Sequence, residues 1–220
     1  MRILLTGADG ALGTVVADAF RAAGDKVAAL HGGLSQDDLE AGRLAAGDLT
    51  DAANARKVIG RAAAHLGGFD AVVHLVGGFR WLPVADALLE DWRGLFSANV
   101  ESAVATLQAA LPHLADKGAI VLVGAHSAQP AGAGFGPYGA AKAGVARLTE
   151  ALAVELKPRG VRVNAILPSI IDTPRNRRDM PDADPTTWTS PAAIADVLRF
   201  LTGPQARAIS GALIPVTNAA

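Results

Sequence analysis

Cysteine is missing from this chain altogether, which removes disulfides, thiolate nucleophiles and cysteine-ligated metal sites from consideration. Aromatic residues are scarce as well, with six phenylalanines, three tryptophans and a single tyrosine in 220 residues. A core with so few rings must be built from aliphatic side chains, and the abundant alanine and glycine suit close packing of helices on a sheet. No excess of charge of one sign is present: the formal net charge is −1. That balance gives no electrostatic ground for a nucleic-acid or acidic-polymer partner. The five histidines (His31, His65, His74, His113 and His126) show no metal-ligand spacing, so no metal site is expected. Long hydrophobic runs are lacking too, and residues 3–5 are too short for a signal-peptide core. The expectation is a cytoplasmic protein that meets a small-molecule substrate, with no nucleic-acid and no membrane partner.

What is present is an alternation of short β-branched apolar runs with longer amphipathic stretches. Strands are predicted at residues 2–6, 26–30, 43–47, 71–75, 119–123, 162–167 and 212–216. Most read as continuous apolar runs, as strands buried on both faces should. Helices are predicted at residues 11–23, 52–66, 86–115, 138–157 and 191–201, with Gly24, Gly67 and Pro191 as end signals. This pattern implies one α/β domain over residues 1–220, a Rossmann-type doubly wound parallel sheet of about seven strands with helices on both faces. Residues 169–190 are polar and irregular, which predicts a substrate-binding or lid loop.

The first predicted strand runs directly into Thr6-Gly-Ala-Asp-Gly-Ala-Leu-Gly13 and then a helix. In that context Gly7, Gly10 and Gly13 permit a tight turn, backbone approach to a pyrophosphate and close helix–strand packing. Ala11 and Leu12 open the helix, whose free N–H groups and dipole favour phosphate. An NAD(P)(H) cofactor is therefore expected. At the end of the second strand, where an acid often binds the ribose 2′-hydroxyl, stands His31, followed by Gly32-Gly33. Asp9, inside the turn, would repel an added 2′-phosphate and so favours NAD. Asp48, beside Leu49, is a candidate acceptor for the adenine amino group or a helix cap, although Asp51 is the better-placed cap.

Tyr138, the only tyrosine, precedes Lys142 by one helical turn, so the two side chains share a helix face. A neighbouring ammonium favours phenolate, and the pair predicts a tyrosine made usable as a proton donor by a lowered pKa.

With the glycine turn, Asp48, Asn99 and Tyr138-x-x-x-Lys142 in this order, the whole chain resembles the short-chain dehydrogenase/reductase family. The resemblance implies that Tyr138 donates a proton and that Lys142 assists it and holds the nicotinamide ribose. It further implies that Asn99 organises a proton-relay water. His74-Leu-Val-Gly77 stands where the family commonly has Asn-Asn-Ala-Gly, which puts Val76 and Gly77 against the cofactor. Pro168-Ser-Ile-Ile-Asp-Thr173 is similar to the segment that meets the nicotinamide. By that match Ile170 or Ile171 offers backbone groups and Thr173 its side chain. Homodimers or homotetramers, paired through the fourth and fifth helices, are also implied.

Gly77-Gly-Phe79 and the segment from Leu167 to Trp188 further resemble the dihydropteridine reductases, which implies a quinonoid substrate. Counting back from Tyr138, the serine usual in the wider family falls on Ala125, which cannot donate a hydrogen bond. Ser127 and His126 are the nearby alternatives. Phe79, Trp81 and Trp188 are the expected aromatic substrate contacts, with anchoring of a lid the other reading of Trp81 and Trp188.

Overall fold

The computed structural model describes residues 1–218. Seven parallel strands form one sheet in the order β3-β2-β1-β4-β5-β6-β7. They are β1 (Arg2–Thr6), β2 (Lys26–His31), β3 (Arg43–Ala45), β4 (Phe69–His74), β5 (Leu114–Val123), β6 (Arg162–Pro168) and β7 (Leu213–Val216). The chain starts at the centre, builds outward to β3, then returns to pair β4 with β1. That reversal makes the β1/β4 boundary the switch point, where open α/β sheets bind ligands beyond the carboxyl ends of their strands.

Successive side chains of a strand face opposite sides, and here both sides are apolar. Leu4, Leu30, Val72, Ile120 and Val163 pack under one helical layer. That layer is α2 (Ala52–Leu66), α4 (Ser102–Ala110) and α5 (Gly136–Glu155). Ile3, Leu5, Val73, Val121 and Ile166 face the other, formed by α1 (Ala11–Ala22) and α7 (Pro191–Thr202). Burial on both faces is why the strands read as continuous hydrophobic runs. Asp51 caps α2 by accepting from the Ala53 N–H at 2.8 Å, and Gly67 ends that helix in the left-handed conformation.

Two expectations need correction. The stretch expected as one helix over 86–115 is divided: α3 (Leu89–Phe96) runs through a π-helical turn at Ser97–Glu101 into α4, and β5 has begun by Leu114. Residues 169–190, expected to be irregular, contain a helix of their own, α6 (Pro174–Asp179). Thr173 caps it, accepting from the Asn176 N–H at 3.1 Å, and Pro174 supplies the preset φ of a first turn.

Candidate active site

The glycine turn links β1 to α1 at the switch point. Gly7 has φ of +70°, and a Cβ there would lie 3.1 Å from the Leu75 backbone. A Cβ on Gly13 would fall on the Gly7 carbonyl oxygen, so α1 starts as close to the turn as backbone allows. Asp9, Gly10 and Ala11 are exposed around this turn while Leu12 is half-buried. Asp9 accepts from the Gly33 N–H at 3.0 Å, which fixes its carboxylate beside the end of β2. His31 ends β2, and its Nε2 is buried without a hydrogen-bond partner among the described residues. Burial holds its pKa below the ordinary imidazole value, despite the opposing pull of Asp9. An orphaned ring nitrogen beside a fixed carboxylate suits a ribose hydroxyl, which can both donate and accept. The turn therefore fits a dinucleotide.

Asp48 receives the N–H and hydroxyl of Thr50 at 2.8 and 2.7 Å, and these bonds hold its carboxyl below the usual range. Leu49 beside it is buried. Leu75, Val76 and Gly77 follow β4. A Cβ on Gly77 would lie 2.6 Å from Asn99 Oδ1 and 3.1 Å from Lys142 Nζ, so only a glycine lets both polar groups reach the loop. The π turn carries Asn99, whose amide donates to Leu95 O at 2.8 Å and Gly78 O at 3.0 Å while Oδ1 accepts from the Gly78 N–H. Inserted π turns of this kind are frequent at functional sites.

Lys142 is only 6% exposed; its Nζ donates to Val123 O at 2.8 Å and lies 5.9 Å from the centroid of the Tyr138 ring. Tyr138 and Lys142 do share one face of α5. The expected electrostatic effect is not what the structure gives. Burial pushes the Tyr138 phenol up to about 12, and burial likewise brings the Lys142 ammonium down to about 8. Desolvation penalises both charged forms and dominates over their mutual effect.

His74 was not foreseen as part of this constellation. It is buried, with Nδ1 2.9 Å from Thr6 Oγ1 and Nε2 3.4 Å from Ser102 Oγ. Ser102 spends its proton on Ala98 O at 2.7 Å, so the network assigns Nε2–H to His74 and leaves Nδ1 to accept from Thr6. The ring thus ties the residue before the glycine turn to Ser102, the first residue of α4, directly after the turn that bears Asn99. Its substitution for the family's usual asparagine was the available signal.

On the substrate side, Pro168 O accepts from the His126 N–H at 3.0 Å. The Ile170 carbonyl is taken by Thr189 N–H and that of Ile171 by Asn176 Nδ2, so a carboxamide would meet N–H groups there. Thr173 uses a lone pair as a cap and keeps its O–H to donate. Ala125 is buried after β5, Ser127 is half-buried and His126 is exposed. Phe79 meets Tyr138 edge-to-face, with ring centroids 4.9 Å apart, and Phe135 flanks both. Trp81, in the same loop as Phe79, donates its Nε1–H to Ala133 O at 3.1 Å. Trp188, the third expected aromatic contact, is only 5% exposed near the end of the 169–190 segment.

Among the described residues no cluster of His, Asp or Glu could hold a metal ion, and no helix is long and apolar enough to cross a membrane.

A switch-point dinucleotide turn and a Tyr–Lys pair on α5 define a class, and comparison with known proteins identifies it. The family model described as Enoyl-(Acyl carrier protein) reductase matches residues 7–218. Meso-2,3-butanediol dehydrogenase of Serratia marcescens is 30% identical over 99% of this chain and 93% of its own. A solved short-chain dehydrogenase/reductase from Serratia marcescens BCRC 10948 shares the fold with a TM-score of 0.87 at 24% identity, covering 98% of this chain and 95% of that one. A blue fluorescent protein from a metagenomic library, solved in complex with NADPH, is 28% identical with a TM-score of 0.86, over 100% and 98% of the two chains. The chain belongs to the short-chain dehydrogenase/reductase family, and it is an NAD(P)-dependent oxidoreductase.

Proposed function

We propose that this chain reduces a small carbonyl or quinonoid compound, or runs the reverse oxidation, with Tyr138 as the proton donor. The nicotinamide, when bound, supplies or removes the hydride. The observation that carries the reading is the convergence of Asn99 Oδ1 and Lys142 Nζ on Gly77, with Tyr138 one turn from Lys142 on α5. Tyr138 stays protonated through the neutral range, so its O–H is available to an oxygen or nitrogen that gains negative charge. Lys142 holds the nicotinamide ribose, and Asn99 a water that returns the proton path to solvent. Gly7, Gly10, Ala11, Leu12 and Gly13 receive the pyrophosphate, with Val76 and Gly77 beside it. Asp48 and Leu49 receive the adenine. Pro168, Ile170, Ile171 and Thr173 receive the carboxamide end.

General acid help is worth roughly 10²–10⁴-fold in rate. Tyr138→Phe should therefore lower kcat by about that factor while NADH still binds. Steady-state NADH oxidation measures this, and unchanged turnover would remove Tyr138 from the mechanism.

Asp9, fixed beside His31, makes NAD the preferred cofactor, because its carboxylate opposes a 2′-phosphate. NADH should bind more tightly than NADPH in a fluorescence titration, and Asp9→Ala should narrow the gap. A preference for NADPH in the unaltered chain would reverse this assignment.

Ala125 in place of the family's serine favours a second, narrower reading, reduction of quinonoid dihydropterin as in the dihydropteridine reductases. Rapid turnover of that pterin, with none of simple carbonyls, is its signature. We place the protein in the cytoplasm as a homodimer or homotetramer, and the exposed Phe96 and Val154 on α3 and α5 are consistent with pairing there.

A further inference from the structure

In an α-helix each carbonyl accepts the N–H four residues ahead. Between α3 and α4 that ladder is interrupted. The Ser102 N–H donates to Ser97 O, five residues back, so Ala98 O does not receive the N–H that an α-helix would give it. The Ser102 side chain stands in for that donor: its Oγ gives its one proton to Ala98 O at 2.7 Å. A serine here makes the π turn compatible with a satisfied backbone, which an alanine could not do.

Having given its proton away, Ser102 Oγ can only accept, and His74 Nε2 lies 3.4 Å from it. His74 stands opposite Thr6 in the register of β4 with β1, and its Nδ1 lies 2.9 Å from Thr6 Oγ1. Thr6 and Ser102 are 0% exposed and His74 is 2% exposed, so no water competes for these bonds. Burial keeps the ring uncharged at neutral pH, which leaves one nitrogen to donate and the other to accept.

The same π turn is fastened a second time, through Asn99 to both backbone groups of Gly78. Gly78 lies on the loop that leaves β4 directly after His74. The contacts therefore close a ring: His74 to Ser102, Ser102 to the π turn, Asn99 to Gly78, and back along the loop to His74. Returning the turn to α register would shift it by one residue. That is about 100° of rotation relative to α4, enough to carry Asn99 away from Gly78.

We infer that Ser102 and His74 are positioning residues, which lock the π turn in register and so hold Asn99 against the cofactor loop. What Asn99 does once it is placed rests on the functional reading above.

The test follows Asn99 directly and then the reaction. Its side-chain amide donates twice and is 1% exposed, so its hydrogens should exchange slowly by NMR in the unaltered chain. Ser102→Ala removes a single oxygen and should fold. In this variant, and in His74→Leu, exchange at Asn99 should quicken by about tenfold or more, the equivalent of one lost hydrogen bond. His74→Asn, which can bond both neighbours, should restore the protection that His74→Leu loses.

With diacetyl or naphthoquinone as the oxidant of NADH, Ser102→Ala should lower kcat by about tenfold or more, on the scale of a misplaced catalytic group, and leave NADH affinity unchanged. Because Ser102 acts through Asn99, the double variant should be no slower than Asn99→Ala alone. The solvent deuterium isotope effect on kcat should rise in both single variants, since each slows the return of the proton. Slow exchange at Asn99 retained in Ser102→Ala, with kcat lowered in Asn99→Ala only, would overturn this inference. Turnover untouched by both Asn99→Ala and Tyr138→Phe would instead count against the functional reading, and exchange at Asn99 would still decide whether Ser102 and His74 place it.

Discussion

His74 is a base kept from its proton. Burial, with the charge of Lys142 nearby, brings its pKa down from the ordinary 6.5 to about 3. The unfolded chain binds this proton from about pH 6.5 downward and the native one does not, so stability falls as pH drops through the window between the two values. At one and a half pH units below the unfolded value, near pH 5, the loss from this one residue is about 2 kcal/mol. His74→Asn keeps groups that can bond both Thr6 and Ser102 but does not titrate. Urea unfolding at neutral pH and near pH 5 should show a flatter pH dependence in the variant, and an unaltered slope would mean that other groups set it.

The strands and the glycine turn were legible in the sequence because their constraints are local: burial on both faces leaves continuous apolar runs, and a turn against backbone admits only glycine. The broken helix before β5 was not. Its residues, Ser97-Ala-Asn-Val-Glu101, suit an α-helix as well as a π turn, and what selects the latter is Asn99 reaching across to Gly78. Helix α6 was hidden because Pro174-Arg-Asn-Arg-Arg-Asp179 has no apolar stripe, although its Thr-Pro start was readable. The Tyr138–Lys142 spacing was read correctly as one helix face, but the direction of the phenol's pKa depends on burial, which spacing does not report. The short element after β4 offers a direct test. In Gly77→Ala the new methyl meets Asn99 Oδ1 and Lys142 Nζ, both already held by other partners. We expect NADH affinity and kcat to fall together with little change in thermal melting, since the strand itself is untouched. Full activity in this variant would show that the loop yields freely.

At the scale of the whole molecule, β1 holds the two halves of the sheet together. It pairs with β2 on one side and β4 on the other, and Arg2 at its start gives Asp70 bonds from its backbone and its guanidinium. The cofactor turn hangs from the other end of this same strand. The scarcity of rings acquires a use on this scale. With one tyrosine in 220 residues, the near-ultraviolet band of phenolate belongs to Tyr138 and to nothing else in the protein. An alkaline titration of the native chain should show a single optical transition displaced to about 12, whereas the unfolded chain should titrate near the ordinary 10.0. If NAD⁺ brings a positive nicotinamide close to that hydroxyl, the same band should appear at lower pH once the cofactor is added. The protein carries its own indicator dye, placed at the one atom whose proton is in question.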